Sequence, residues 1–204
     1  MGTWSGGGGS RTDLKRWMLF VDGENFTCRA QALAQDKGIQ LVEGDHYSRD
    51  VFVWFPNFAG SSSALFRQSR HPLHWTPIRS YYYTSVRGSD ETLEGVRMQL
   101  WTLGFQAEVF KRNKERDSKG VDIALTKDML THAFFDHYDV AVLMSGDGDY
   151  VPLVKEVKRL GKVVCVGAFS ESGLNPELKL TSDELFDVGP QFFTQWREQL
   201  KPTT

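Results

Sequence analysis

Five short apolar runs, most of them followed by a stretch of helical spacing, set the rhythm of this chain. Residues 17–21 (WMLFV), 78–84 (IRSYYYT), 105–110, 140–144 (VAVLM) and 162–169 (KVVCVGAF) read as strands, by their β-branched and aromatic content. The Val-rich run at 140–144 has the continuous apolar character of a strand covered on both faces. A helix opening at Glu24 or Asn25 follows the first run, with Ala30, Leu33 and Ala34 at helical spacing to about Asp36. Ser89-Asp90-Glu91 opens another through Leu93, Val96, Leu100 and Leu103, closed by Gly104. Asp122 begins a third, through Leu125, Met129 and Phe134. A fourth runs to Leu160 and stops at Gly161. Residues 170–181 read as loop, 185–188 as a short edge strand, and 191–200 as a terminal amphipathic helix docked by Phe192, Phe193 and Trp196.

This alternation predicts an α/β fold: a mostly parallel sheet of about five to six strands with helices on both faces. The expected organisation is a flexible lead over residues 1–15, a main domain over 16–190 and a C-terminal helix and tail over 191–204. Residues 38–77 interrupt the rhythm. They hold a possible strand at 51–55 (VFVWF), then a serine triplet and Arg67, Arg70, His71, His74 and Trp75. Arginines interleaved with aromatics suit a nucleic-acid face. The same aromatics also suit a partly buried insertion with a satellite core, and this is the favoured expectation.

Two of the apolar runs end in the same way. Residues 17–21 stop at Asp22-Gly23-Glu24-Asn25, and residues 140–144 stop at Ser145-Gly146-Asp147-Gly148-Asp149. In open α/β sheets, ligands bind at the carboxyl ends of the strands. Acids there also serve as helix caps and turn residues, so each has an ordinary structural reading. Asp149 is expected to cap the following helix while still facing a site, and Asp147 has less structural reason to be acidic. Asp122 sits at a helix start, with Thr126 and Met129 on the same helical face.

Composition narrows the chemistry. The 204 residues carry a formal net charge of -2, so any nucleic-acid surface must be local. One such region is the loop from Lys111 through Arg112, Lys114 and Arg116 to Lys119, which leads directly into Asp122. Cys28 and Cys165 both lie in apolar patterns and are expected to be buried free thiols of a reducing compartment, cytoplasmic by default. No run is long and apolar enough to span a bilayer, so no membrane association is expected. Walker A, GxSxG, GxGxxG, HExxH and CxxC patterns are all missing.

In a parallel sheet with right-handed crossovers, Asp22, Asp122, Asp147 and Asp149 can converge at one edge. Four carboxylates there repel one another and call for a cation. Hard ions with oxygen ligands, Mg2+ or Mn2+, fit such a set, and zinc does not. Carboxylate-held ions suit phosphodiester hydrolysis.

Three blocks carry a resemblance. They are residues 21–26 (VDGENF), 119–125 (KGVDIAL) with Asp128-Met129, and 143–150 (LMSGDGDY); Gly161-Lys162-Val163-Val164 adds to them. Together they closely resemble the signature blocks of NYN domains, LabA-like branch, within the PIN-like nucleases. The resemblance covers roughly residues 17–188. It implies a three-layer α/β/α PIN-like sandwich and a metal-dependent endoribonuclease acting on RNA. It also implies that Asp22, Asp122, Asp147 and Asp149 are the catalytic and metal-binding acids, with Asn25, Ser145 and, more weakly, Thr126 orienting substrate or ligands. Lys111, Arg112, Lys114, Arg116 and Lys119 would grip phosphate. The long 38–77 segment departs from simpler members. The alternatives are a non-catalytic RNA-binding or regulatory module that keeps the acidic pocket, and another carboxylate-metal phosphotransfer fold of Toprim-like or haloacid-dehalogenase-like type. A homodimer or protein partners stay open.

Overall fold

The computed structural model describes residues 15–56, 76–112 and 119–199. The residues 1–14, much of the 38–77 insertion with Arg67, Arg70, His71, His74 and Trp75, and Lys114 and Arg116 lie outside them, as does the side chain of Lys119.

The strands are β1 (Arg16–Asp22), β2 (Tyr47–Ser48), β3 (Phe52–Val53), β4 (Thr76–Val86), β5 (Gln106–Lys111), β6 (Val140–Met144), β7 (Val163–Ala168) and β8 (Glu184–Asp187). The helices are α1 (Gly23–Asp36), α2 (Asp90–Thr102), α3 (Lys119–Phe134), α4 (Val151–Arg159), α5 (Pro176–Thr181) and α6 (Gly189–Gln199), with a 3-10 turn at Gly148–Tyr150. Six strands form one sheet in the order β5-β4-β1-β6-β7-β8, and every neighbouring pair is parallel. The result is a three-layer α/β/α sandwich.

Period-two alternation divides the core into two halves. From β1, Trp17, Leu19 and Val21 pack on one side with α1, α2 and α6, while Met18 and Phe20 pack on the other with α3, α4 and α5. The three consecutive tyrosines of β4 split likewise, Tyr82 to the first side and Tyr81 and Tyr83 to the second. Phe192, Phe193 and Trp196 seat α6 against the first half.

The described part of the insertion joins the main core rather than forming a satellite. Phe52, Val53, Trp54 and Phe55 are all buried with α1, α2 and α6 residues. Only Phe52–Val53 is strand, paired with Tyr47–Ser48 in a two-stranded antiparallel sheet. The side chains of β4 hold it in place. The Tyr82 hydroxyl accepts from the Val53 N–H and donates to its carbonyl, both at 3.2 Å, and Thr84 Oγ1 donates to the Val51 carbonyl. Trp54 then meets Phe105 edge-on at 4.8 Å between ring centroids.

Local details differ from the sequence reading in four places. The α1 helix starts at Gly23, because Asp22 rather than Glu24 or Asn25 is its N-cap. The α3 helix starts at Lys119, three residues before Asp122. Residues 176–181 are helical, started by Asn175 as N-cap and by Pro176. Cys28 is exposed, because the buried face of α1 is taken by Phe26, Ala30, Leu33 and Ala34; Cys165 is buried as expected. Among the described residues no helix is long and apolar enough to cross a membrane.

Trp54 and Trp101 provide a test of where the insertion sits. Trp54 is 2% exposed and Trp101 is 69% exposed. Trp54→Ala is expected to lower the unfolding free energy by about 3–5 kcal/mol, and Trp101→Ala by no more than about 0.5 kcal/mol. Equal, small losses in denaturant titrations would show that the 51–55 segment is not part of the cooperative core.

Candidate functional site

Among the long strands, sheet order runs outward from β1 in both directions: to β4 and β5 on one side, and to β6, β7 and β8 on the other. The connection order therefore reverses between β1 and β6, and a crevice opens there at the carboxyl ends. Register places Asp22 in it. Val21 pairs with Met144, so the next residues, Asp22 and Ser145, stand side by side.

Asp22 is 2% exposed, and both carboxylate oxygens are held. Oδ1 accepts the Asn25 backbone N–H at 3.1 Å, the capping bond of α1. Oδ2 accepts the Ser145 hydroxyl at 3.0 Å. Ser145 Oγ in turn accepts the Asp147 N–H at 3.1 Å, and Asn25 Oδ1 accepts the Gly146 N–H at 3.1 Å. Thus Asn25 and Ser145 act on the backbone of the acidic turn as much as on Asp22. Asp122, at the open rim on the first turn of α3, accepts the Tyr150 hydroxyl at 3.0 Å.

The acidic turn fits its surroundings closely. A Cβ at Gly146 would stand 2.9 Å from the Gly173 carbonyl, and one at Gly148 would collide with the side-chain amide of Asn175. Only glycine tolerates these approaches. The Asn175 N–H also donates to the Gly146 carbonyl at 2.9 Å. Asp147 Oδ1 caps the 3-10 turn by accepting the Asp149 N–H at 3.0 Å. The sequence reading of these two acids is therefore inverted. Asp147 is the capping residue, while α4 has no side-chain cap and the Asp149 carboxylate has no hydrogen-bond partner among the described residues.

Electrostatically the acids feel one another. Burial pushes the Asp22 carboxyl up to about 7; its bonds to Asn25 and Ser145 oppose this, and Asp122 and Asp147 add to it. The Asp122 carboxyl is also raised, first by partial desolvation. The Tyr150 bond opposes that shift, and repulsion from Asp147, Glu24 and Asp149 adds to it. Tyr150 is held strongly protonated by burial and by Asp22, Asp122 and Asp147. Among the described residues no three carboxylate, imidazole or thiol groups stand ready around one point to hold an ion.

The remaining sequence candidates lie around this centre. Thr126 is one turn along α3 from Asp122 and makes no side-chain hydrogen bond among the described residues; Tyr150 is the hydroxyl that reaches Asp122. Lys111 pairs with Asp90 of α2 at 2.9 Å, on the surface. Arg112 pairs with Glu24 at 2.8 Å and donates to Ser85 Oγ at 2.9 Å, and Ser85 donates to Glu24. A cleft of about 1290 Å³ runs from this Glu24–Ser85–Arg112 group along α1, past Cys28 and Gln31 to Arg49; none of the four aspartates lines it. Sequence reasoning missed Glu24, Tyr150 and Asn175. Glu24 and Tyr150 both lie within blocks already singled out, with no site role given to either side chain, and Asn175 lies in the 170–181 stretch read as loop.

Comparison with known proteins agrees with this geometry. The pattern that defines the NYN domain matches residues 16–193, so the chain belongs to the NYN domain family. That membership places it among nuclease-like domains with RNA-related functions. A crystal structure of a protein of unknown function from Vibrio parahaemolyticus superposes with a TM-score of 0.56 at 17% identity, covering 84% of this chain and 91% of the other. That likeness supports the sandwich fold. No curated protein matches the chain.

The raised Asp22 carboxyl gives a signed pH test for the metal-free protein. Its folded value, about 7, lies above the unfolded value near 3.9. The folded state therefore binds the extra proton, and stability falls as pH rises from about 4 to about 7, by on the order of 4 kcal/mol from this group. Asp22→Asn keeps a capping oxygen and removes the titration. Its unfolding free energy relative to wild type, measured in EDTA, should increase from pH 5 to pH 8. A difference independent of pH would show that Asp22 does not titrate in this way.

Proposed function

We propose that the protein is a metal-dependent endoribonuclease that hydrolyses RNA phosphodiester bonds at the Asp22, Asp122, Asp147 and Asp149 site. The observation that carries this reading is the group of acids at the β1–β6 crevice, none of the four in an ion pair among the described residues. Asp22 is buried there with Asp122 and Asp147 in electrostatic reach, and Arg112, on the same side of the sheet end, is already paired with Glu24. The available donors are carboxylate, hydroxyl and amide oxygens, which suit Mg2+ or Mn2+. When bound, such an ion activates a water and stabilises the leaving oxygen of a phosphodiester.

The chain's own contribution is placement. Ser145 and the Asn25 N–H fix the Asp22 carboxylate, Asn25 fixes the backbone at Gly146, and Tyr150 orients Asp122. Asp149, without a structural bond, is the acid most available to an ion. Lys114, Arg116 and Lys119 of the β5–α3 connection supply cations for phosphate, while Lys111 and Arg112 are held by Asp90 and Glu24. RNA is the partner; a protein partner or second copy is not needed to complete the acid set.

A non-catalytic RNA-binding module is the second reading. It is favoured by one observation: the carboxylates are close without being closed around a single point.

Labelled single-stranded RNA incubated with Mn2+ separates the two. Wild type should produce internal cuts that EDTA abolishes. Asp149→Asn should lower the rate at least about 100-fold, the upper end of what changes behind a metal ligand cost. Asp147→Asn preserves the cap and should lose a similar factor. RNA bound tightly by wild type but never cut would overturn the nuclease reading and leave the binding module.

A further inference from the structure

We propose that Arg29 and the turn at Gly173 form a binding site for a backbone phosphate of the RNA strand, one loop away from the acids. This rests on RNA being the partner of the acidic site.

Asn25 and Arg29 are four residues apart and share a face of α1. A long helical side chain leans back toward the helix N-terminus. For Arg29 that direction is toward Asn25 and the acidic turn it holds. The guanidinium comes to rest over Gly173. A Cβ at Gly173 would collide with Arg29 Cζ and Nε and would lie 2.7 Å from Nη1. Gly173 has φ +70°, a conformation that also favours glycine. The carbonyl of Gly173 is the group that abuts Gly146, next to Asp147. The cation thus stands across one residue from the acidic turn. Its loop is tied to α1 a second time by the Lys37–Glu171 ion pair at 2.6 Å.

What distinguishes Arg29 is the lack of a partner. Its Nε is fully buried and makes no hydrogen bond, and no carboxylate pairs with its guanidinium among the described residues. Arg112, by comparison, is neutralised by Glu24. The Nε is closed off against Gly173, so the donors left for a ligand are the terminal nitrogens Nη1 and Nη2, which make no hydrogen bond or ion pair among the described residues. The guanidinium fork matches the oxygens of a phosphodiester in a bidentate way that a lysine does not. Its place beside the acids suits a phosphate flanking the scissile one. There a fixed cation would draw the strand across the crevice without competing for the reacting group.

Arg29→Gln and Arg29→Lys in the Asp149→Asn background test this by titration of a fluorescent single-stranded RNA, with Mg2+ present, over a series of salt concentrations. Arg29→Gln should weaken binding about tenfold at low salt. It should also reduce the slope of log K against log[salt] by about 0.7, the signature of one lost phosphate contact on a single strand. Arg29→Lys should restore the slope but only part of the affinity. Circular dichroism melts of both variants should match the parent, so that lost packing cannot account for the change. With Asp149 intact and Mn2+ present, Arg29→Gln should raise KM more than it lowers kcat. An unchanged salt slope overturns the Arg29 site even if wild type cleaves RNA. RNA binding without cleavage by wild type overturns the nuclease reading while leaving Arg29 to be judged by the slope. Failure of wild type to bind RNA overturns both.

Discussion

Both oxygens of the Asp22 carboxylate are occupied, and the site depends on that. One bond starts α1 and the other reaches across to the end of β6 through Ser145. A carboxylate removed from water is tolerated only when its hydrogen-bonding capacity is met. Here neutral donors meet it and, among the described residues, no cation pairs with it, while Asp122 and Asp147 stand within electrostatic reach. The arrangement keeps α1, β1 and β6 in register at the cost of concentrating negative potential in one crevice. Asn25, the residue whose N–H completes the cap, uses its side chain to hold Gly146, so cap and acidic turn are one hydrogen-bonded unit.

The sheet explains why the acids meet there. Strands leave β1 in opposite directions, and the gap between the two βα connections falls where Asp22 and Ser145 adjoin. The two apolar halves of the core then fix the walls. The α1 wall carries Asn25 and Glu24, and the α3 wall carries Asp122. Tyr150 spans from the acidic turn to Asp122, so the rim acid is held by a residue of the β6–α4 connection. The insertion lies on the α1 side, hooked by Tyr82 and Thr84, and its described residues build core rather than crevice.

Much of this was legible in the sequence, because it rests on local pattern. Residues 140–144 are apolar at every position, and only a strand covered on both faces needs that. Asp22 and Asp147 could be placed at strand ends because abrupt changes from apolar to Gly- and acid-rich sequence mark them. The division of labour between Asp147 and Asp149 was not legible. Either acid could cap, and the choice is made by a 3-10 turn that precedes α4. Cys28 was misplaced by reading apolar neighbours without phase: Phe26, Ala30, Leu33 and Ala34 define one face, and Cys28 lies off it. Glu24–Arg112 joins residues 88 apart in sequence, and Asn175 sits in a polar stretch with no periodicity. Contacts of that kind have no local signal.

The close fit of Gly146 and Gly148 against residues 173–175 has a consequence for how the protein is made. A chain synthesised from its N-terminus has β1, β4, β5 and β6 available well before residues 173–175 exist. The acids can be brought together then, but the surface that shapes their turn comes from residues that follow all four of them. The shape of the acidic turn is therefore completed only after all four acids have been made, by a tripeptide that itself carries none of them.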